Sequence, residues 1–598
     1  MDNFLSYYNN ELAFLRAAGN EFAKANPKVA SQLRLNEQGS EDPHIARIIE
    51  AFAFLTARIQ HKINDDLPEF ADTLLNLLYP HYQLPVPALS IVQFQANPEA
   101  TEGHFLSKGI QIESSSSYGS TCQFSTCYDT IIYPTEITRI ELIENSSPTL
   151  PFLPNTQSAL TISMRCLKPD LSFSILNPKR IRFFINIATP YSYQFYDLLF
   201  KEGLGGFIVE DGKEAIPFPF DALNAVGFNE NEGLFPYPEQ SMLNYRLLTE
   251  FFIFPEKFLF FDLTFKDNLY QTHAIGREIT FVICFKNKTP SLRPTITKNS
   301  LSLHCTPLIN LFDKIGEPIL IDQTRSTYPI IPDARRLNEI DIYKIQSISL
   351  SDYSGVPYHC VPLYGFKEQK DQSIYWHSER KNRSLESSSI ETCRKEDIFI
   401  SFVDNNHINN AAIAQPHLLC TNHQLPSQLP HGGHHPKLQF IKDNIKGDIR
   451  TLSPFTPSYH LPLCHGVRWQ LISHLMLNTF SFSNNTEATK FIKEMLQLYN
   501  FSQSEENSLF ISNIESVTTK PVIARGDSHF GNTILNGTEV IITFTKEHAT
   551  LFLFSSVLEK FLTAYCSINS FTQLTIRYAN QSGDLIRWKP NMGTKSLL

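Results

Sequence analysis

Over the first 86 residues the apolar positions recur at helical spacing. Phe4, Tyr8, Leu12, Leu15 and Phe22 fall three, four and seven apart and form one stripe, which Pro27 interrupts. A second helix has a strong start signal: Asp42 can accept backbone N–H bonds at the N-cap, and Pro43 has a preset φ and no donor to lose. Its stripe is Ile45, Ile48, Ile49, Phe52, Leu55, Ile59 and Ile63, with Arg47, Glu50, Arg58 and His61 largely off it. Phe54 also lies off the stripe, as a second packing layer or a contact for another chain. Pro68 opens a third helix carrying Leu74, Leu75, Leu77 and Leu78, and Pro80 stops it. Tyr82 to Pro87 then reads as an extended linker.

From Ser90 the period changes to two. Ile91, Gln93 and Gln95 alternate with Val92 and Phe94, and short strands are expected at 111–113 and 130–133. A helix is expected around Tyr193–Phe200, followed by a flexible loop at Gly203-Leu-Gly-Gly206. Residues 245–265 are dense in aromatics. Further strands over 275–365 are broken at Pro290, Pro294, Pro307, Pro329 and Pro332. The polar stretches 366–396 and 423–447 read as loops. Near the end, helices are expected at Trp469–Leu477, Glu487–Tyr499 and Ser555–Tyr565, with a closing strand at Leu574–Tyr578. The pattern predicts an α+β multidomain chain. An N-terminal helical segment (1–87) is followed by a β-rich mixed domain (88–300), a second β-rich domain with long loops (301–448) and a mixed C-terminal α/β domain (449–598). No repeat of fixed period is visible.

Composition narrows the function classes. The chain has 598 residues, of which 42% are hydrophobic and 19% charged, so it can bury large cores. Its net charge of −9 argues against sequence-independent nucleic-acid binding, which needs a cationic surface. No apolar run reaches 18 residues: the greasiest windows, Phe251–Phe261 and Leu551–Leu558, are broken by charge or too short to span a bilayer. Met1–Glu11 shows neither a basic region nor an apolar core, so no secretory signal is expected and the cytoplasm is the expected compartment. The ten cysteines form no Cys-x-x-Cys pair, which favours buried free thiols over a zinc site.

Catalytic chemistry finds little support. Gly203-Leu-Gly-Gly206 lacks the Gly-Lys-Ser/Thr of a phosphate loop and the third glycine of a dinucleotide fingerprint. No Gly-x-Ser-x-Gly elbow accompanies His431-Gly-Gly433. His423, His431, His434 and His435 are the best metal candidates, but no His-Glu-x-x-His helix or nearby carboxylate pair joins them. The acidic pairs Asp65-Asp66 and Glu230/Glu232 read as solvated faces or caps, and Arg525-Gly-Asp527 as a coincidental tripeptide. No catalytic, cofactor-binding or metal residue is therefore assigned. The balance shifts toward a structural role, with a hydrolase lacking local motifs, or a binding module metal-linked through 431–435, as rivals.

An ordered series of short motifs resembles the TssF family (also VasA or ImpG), a baseplate subunit of type VI secretion systems. It begins with Tyr7-Tyr-Asn-Asn-Glu-Leu12, Asp42-Pro-His44, Ala51 to Arg58 and Tyr79-Pro-His81. It continues through Cys122 to Cys127, Val226-Gly-Phe-Asn229, Leu234-Phe-Pro-Tyr237, Tyr245 to Glu250, Phe254 to Phe258 and Cys305 to Phe312. It closes with Leu419-Cys-Thr-Asn422, Trp469 to His474, Ser567 to Phe571, Trp588 and Gly593. His423-Gln424 stand where the family has a basic–acidic pair, and 431–435 looks like a local insertion. The resemblance implies a non-enzymatic, cofactor-free wedge component. Two copies would join one TssG and contact TssK, TssE, the VgrG hub and neighbouring wedges at the cytoplasmic side of the inner membrane, to support sheath assembly and contraction. On that reading Leu12, Leu15, Ile48, Phe52, Phe54 and Leu55 are candidate partner-interface residues in a helical bundle shared between chains; an intrachain core is the alternative. The aromatics of Phe251–Phe261 are expected in the core, with an interface patch as the alternative.

Overall fold

The computed structural model describes Tyr8, Leu12, Phe14, Leu15, residues 35–36, 39–40, 43–64 and 73–76, and most of the chain from 80 to 592, the longest stretch outside it there being 460–484. The chain divides into two compact units. One holds Met1–Leu78 with Leu463–Met476; the other, here called the body, holds Tyr79–Pro462 with Leu477–Leu598.

In the N-terminal unit a helix spans Pro43–Asn64, starting where Asp42-Pro43 predicts it. Residues 73–76 are also helical, but Leu35–Asn36 pairs antiparallel with Gly39–Ser40. An all-helical 1–87 segment is therefore not established. Tyr82 to Pro87 is no exposed linker: Pro80–Gln83 forms a 3₁₀ turn, and every residue from His81 to Leu89 is buried.

The body is built from sheets whose strands come from distant parts of the chain. Six short strands close a barrel in the order Cys305–Ile309, Leu89–Phe94, Ile449–Thr451, Leu438–Phe440, Gln111–Ser114, Gln123–Thr126. Its interior holds Val92, Phe94, Ile112, Phe124, Leu308, Leu438 and Ile449, with Phe124 stacked on Phe455 at 4.7 Å. These strands come from both sides of residue 300. The polar stretch 423–447 supplies one of them, Leu438–Phe440, and so is not wholly a loop. Two further sheets share a second core of Ile342, Ile345, Ile348, Leu350, Ile374, Ile398, Ile400 and Leu418. Ile374–Asn382, within the stretch expected to be a loop, pairs along its whole length with Glu396–Asp404.

A five-stranded sheet (Ile216–Pro219, Gly203–Val209, Glu278–Phe285, Ser158–Cys166, Thr135–Glu144) lies in the same body as a four-stranded one (Leu223–Ala225, Phe260–Thr264, Arg180–Ile185, Leu301–Leu303). Gly203-Leu-Gly-Gly206 opens an inner strand and is not a flexible loop. The glycines are there for close approach: a Cβ on Gly206 would lie 2.0 Å from the Val282 carbonyl oxygen, and Gly205 has φ of +111° beside a bulge. The four-stranded sheet passes into the barrel at His304, between Leu303 and Cys305, with φ of 58°. The corner is held by the Tyr133 N–H, which donates to His304 Nε2 at 3.2 Å. Burial lowers the His304 pKa to about 4, which keeps that nitrogen an acceptor.

At the C-terminal end Ile514–Arg525, Ile534–Phe544 and Ser570–Tyr578 form one sheet. Its second and third strands run parallel and are joined by the helix Leu551–Thr563, the crossover that parallel pairing requires. Helices Asn485–Leu498 and Leu551–Thr563 lie near the expected positions. The helix expected at Trp469–Leu477 falls outside the described residues.

Replacing Gly206 with Ala should force the two strands apart. The expected cost is about 3 kcal/mol or more, the upper range for overpacking, seen as a lower thermal midpoint and reduced soluble yield. Gly212→Ala, where a Cβ would meet nothing within 4 Å but φ is +79°, reads the cost of a side chain in left-handed backbone without a clash.

Candidate functional site: an exposed helix face and buried polar clamps

In the N-terminal unit, Ala53 and Ala57, one turn apart, are fully buried. Ile48, Phe52 and Leu55, spaced by four and three, lie on the opposite side of the helix. They are 65%, 61% and 54% exposed, and Phe54 is 48% exposed. Among the described residues the small face of the helix is thus covered, while Ile48, Phe52 and Leu55 are accessible. Phe14 is also exposed, while Leu12 and Leu15 are half-buried. Large apolar side chains at helical spacing on an accessible face are the elements of a helix-in-groove or bundle contact.

In the body, charges are drawn inside. The helix Leu243–Ile253 carries Arg246 and Glu250 one turn apart, and the following 3₁₀ turn Pro255–Phe258 carries Lys257. All three side chains are almost fully buried. Lys257 Nζ donates to a Glu250 oxygen and to the Glu232 carbonyl at 2.9 Å. The other Glu250 oxygen accepts from the Leu234 N–H at 2.7 Å and from the Tyr237 hydroxyl at 3.2 Å. Arg246 donates to the carbonyls of Glu230 (2.8 Å), Asn229 (2.8 Å) and Phe228 (3.1 Å). The Glu232 carboxylate accepts from the Gly227 and Asn229 N–H groups at 2.8 and 3.2 Å and meets Arg182 at 3.2 Å. Arg182 also grips Asp262 through Nε and Nη2, at 2.7 and 2.9 Å. The loop 227–237 is therefore held from inside by charged side chains. Burial holds the Lys257 ammonium below its usual pKa range, while the Glu250 carboxylate pulls the other way.

A second clamp joins the barrel to the neighbouring sheet. Asn310 and Asn422 are fully buried. The Asn422 N–H donates to Asn310 Oδ1 at 2.6 Å, and Asn310 Nδ2 donates to Asn422 Oδ1 at 2.9 Å. The same Asn422 oxygen accepts from the Gln123 N–H at 2.9 Å, and Asn310 Nδ2 donates to the Gln123 carbonyl at 2.7 Å.

These clamps sit on the short motifs quoted for the family resemblance, yet sequence reasoning did not single out their residues as a network. The signal was present in part: Arg246, Glu250 and Lys257 are charges set inside one of the most apolar stretches of the chain. The aromatics around them, from Phe251 to Phe261, are buried, the core placement expected of them.

Among the described residues no group of three His, Cys, Asp or Glu side chains could hold a metal ion. His434 and His435 lie outside the described residues. A cleft lined by Glu210, Lys213, Glu214 and His273 does bring carboxylate and imidazole together. Glu210, however, accepts from the Gly276 N–H at 3.0 Å and pairs with Lys213 at 2.9 Å. The described cysteines are free thiols, all buried except half-buried Cys360. Among the described residues no helix is long and apolar enough to cross a membrane.

Distant strands are thus locked by buried polar clamps, and large apolar residues are left accessible on one helix. The profile described as "Type VI secretion system, TssF" matches residues 1–595, and the chain belongs to that family. It is 28% identical over 628 aligned positions to the type VI secretion system component TssF1 of Pseudomonas aeruginosa PAO1, covering 99% of each chain. Its fold resembles that of a chain in a TssK-TssF-TssG baseplate subcomplex solved by cryo-electron microscopy, with TM-score 0.73, 22% identity, and 92% and 99% of the two chains covered. It also resembles a chain of a type VI baseplate complex, with TM-score 0.59, 21% identity, and 99% and 100% covered.

Two outcomes test the buried polar groups. Asn310→Leu orphans Asn422 and Gln123 groups in the interior, at roughly 1–3 kcal/mol for each, and should lower the unfolding midpoint sharply. His81, whose pKa burial lowers to about 3 with Lys344 adding to the shift, binds a proton more readily when unfolded. Its contribution is intact above pH ~6.5 and lost as pH falls from there toward 3. The fall in midpoint between pH 7 and pH 5 should therefore be smaller in His81→Phe than in the parent.

Proposed function

We propose that this chain is a structural subunit of the type VI secretion baseplate wedge and catalyses no reaction. It assembles with TssG, two copies to one, and through that unit with TssK, TssE and the VgrG hub. Wedges meet one another around the hub and support sheath assembly and contraction, at the cytoplasmic face of the inner membrane. Membership of the TssF family across 1–595 supports this reading, as do fold relatives that come from baseplate complexes.

The observation that carries it is the outward face of helix Pro43–Asn64. Ile48, Phe52 and Leu55 are exposed at helical spacing while Ala53 and Ala57 face inward. Covering large apolar side chains contributes about 1.5–3 kcal/mol each, set against the entropy cost of association. With Phe54, Leu12 and Leu15 these residues form the proposed interface, and TssG is the proposed occupant. Short apolar faces of this kind also suit a machine that changes state, because rigid parts can repack against one another without unfolding.

Co-expression with TssG tests it. Phe52→Asp with Leu55→Asp should weaken the complex by roughly two to three orders of magnitude, the product of two lost contacts of about 2 kcal/mol each. The thermal midpoint of the chain alone should stay almost unchanged, because both positions are exposed. Phe54→Asp should show the same pattern more weakly. Undiminished co-purification of the double variant would remove the interface.

A further inference from the structure

The chain passes between the N-terminal unit and the body three times: after Leu78, after Pro462 and after Met476. In the body, described segments on the body side of these passages are bonded to one another. After the first, Pro80–Gln83 turns and the chain runs buried into the barrel strand Leu89–Phe94. Tyr459, three residues before the second, exchanges both backbone bonds with Val86: the Val86 N–H donates to the Tyr459 carbonyl at 2.8 Å, and the Tyr459 N–H donates to the Val86 carbonyl at 3.0 Å. The helix Asn485–Leu498, the first described element beyond the third, ends on the Leu498 carbonyl, which accepts the Tyr82 hydroxyl at 3.0 Å. A terminal helix carbonyl has no partner within its own helix, so the tyrosine supplies one.

The knot reaches the charged clamp. The His81 ring lies 4.3 Å from the ring of Tyr237, and the Tyr237 hydroxyl donates to Glu250. On the other side the Ser458 hydroxyl donates to the His423 carbonyl at 2.7 Å, and Gln424 Nε2 to the Ser458 carbonyl at 2.6 Å.

We infer that His81, Tyr82, Val86, Tyr459 and Leu498, with Tyr237, form a clamp that ties three sequence-distant segments of the body, 81–89, 457–459 and the end of the helix Asn485–Leu498, into one cooperative element. A displacement of any one segment is shared with the other two. It reaches the loop 227–237 through the His81–Tyr237 contact. All the clamping residues belong to the body, so the device operates in the chain alone and does not depend on the partner reading above. Its consequence is mechanical: load entering any one of these segments is spread into the barrel strand Leu89–Phe94, the helix Asn485–Leu498 and the charged clamp. Segments tied in this way open together in native-state exchange, whereas independent loops open one by one.

Hydrogen exchange of the full-length chain under native conditions tests it, with Tyr82→Phe as the first variant. That change removes one hydroxyl and keeps the ring. Exchange should rise about fivefold to tenfold, the effect of losing one ordinary hydrogen bond. It should rise together in three segments far apart in sequence: 82–88, 457–459 and the last turn of the helix at 495–498. Ile374–Asn382, in a different sheet, should keep its protection. Tyr364→Phe, at an exposed tyrosine, should change none of the three. His81→Ala should extend the effect to 227–237. A rise confined to the neighbours of residue 82 overturns the clamp, and so does no rise at all. Equal loss of protection everywhere in both variants also overturns it, since it would mean the knot is only one more part of global stability.

Discussion

The ion pair between Glu250 and Lys257 constrains this structure more than any other contact described. Both groups are fully buried, and an isolated charge there is prohibitively costly. The pair is tolerable only because its remaining bonding capacity is spent: Lys257 on the Glu232 carbonyl, Glu250 on the Leu234 N–H and the Tyr237 hydroxyl. Such a pair adds little stability over an apolar replacement, but it fixes geometry. A backbone loop with this many polar groups can lie inside the body only along the path that satisfies them.

The same device recurs where parts of the body meet. The Asn310–Asn422 pair fixes the barrel against the neighbouring sheet, and His304 fixes the corner between barrel and four-stranded sheet. Greasy contacts alone would allow the sheets to slide. Directional bonds in a dry interior allow one register. On the proposed scaffold role, the specificity lies in the interior as much as on the surface. Family motifs such as Tyr245–Glu250, Cys305–Phe312 and Leu419–Asn422 carry residues of these interior clamps.

How much of this the sequence shows depends on range. The Asp42-Pro43 helix start is a local signal, and so is the apolar density around Phe251–Phe261; both are seen in the structure. Gly203-Leu-Gly-Gly206 reads as a loop because flexibility and close approach call for the same residue, and only the strand carrying Val282, some eighty positions away, tells them apart. Ile374–Asn382 and Leu438–Phe440 sit in polar stretches, and their strand partners are elsewhere in the chain. The helix Pro43–Asn64 shows the converse limit. Periodicity gives its apolar face, but not that Ala53 and Ala57 are the side the chain itself covers. For Tyr82 to Pro87, two prolines suggest an exposed extended linker, while burial comes from Tyr459, Leu498 and Tyr237.

The central claim is that buried charges position the body's interior loop, and a double-mutant cycle reads this most directly. Glu250→Gln, Lys257→Met and the double variant would be compared by native-state hydrogen exchange over 227–237, a local readout that a multidomain chain permits. The account predicts a coupling of about 2 kcal/mol or more, since each single change strands a charge that the double change removes. Additivity within about 0.5 kcal/mol would contradict it.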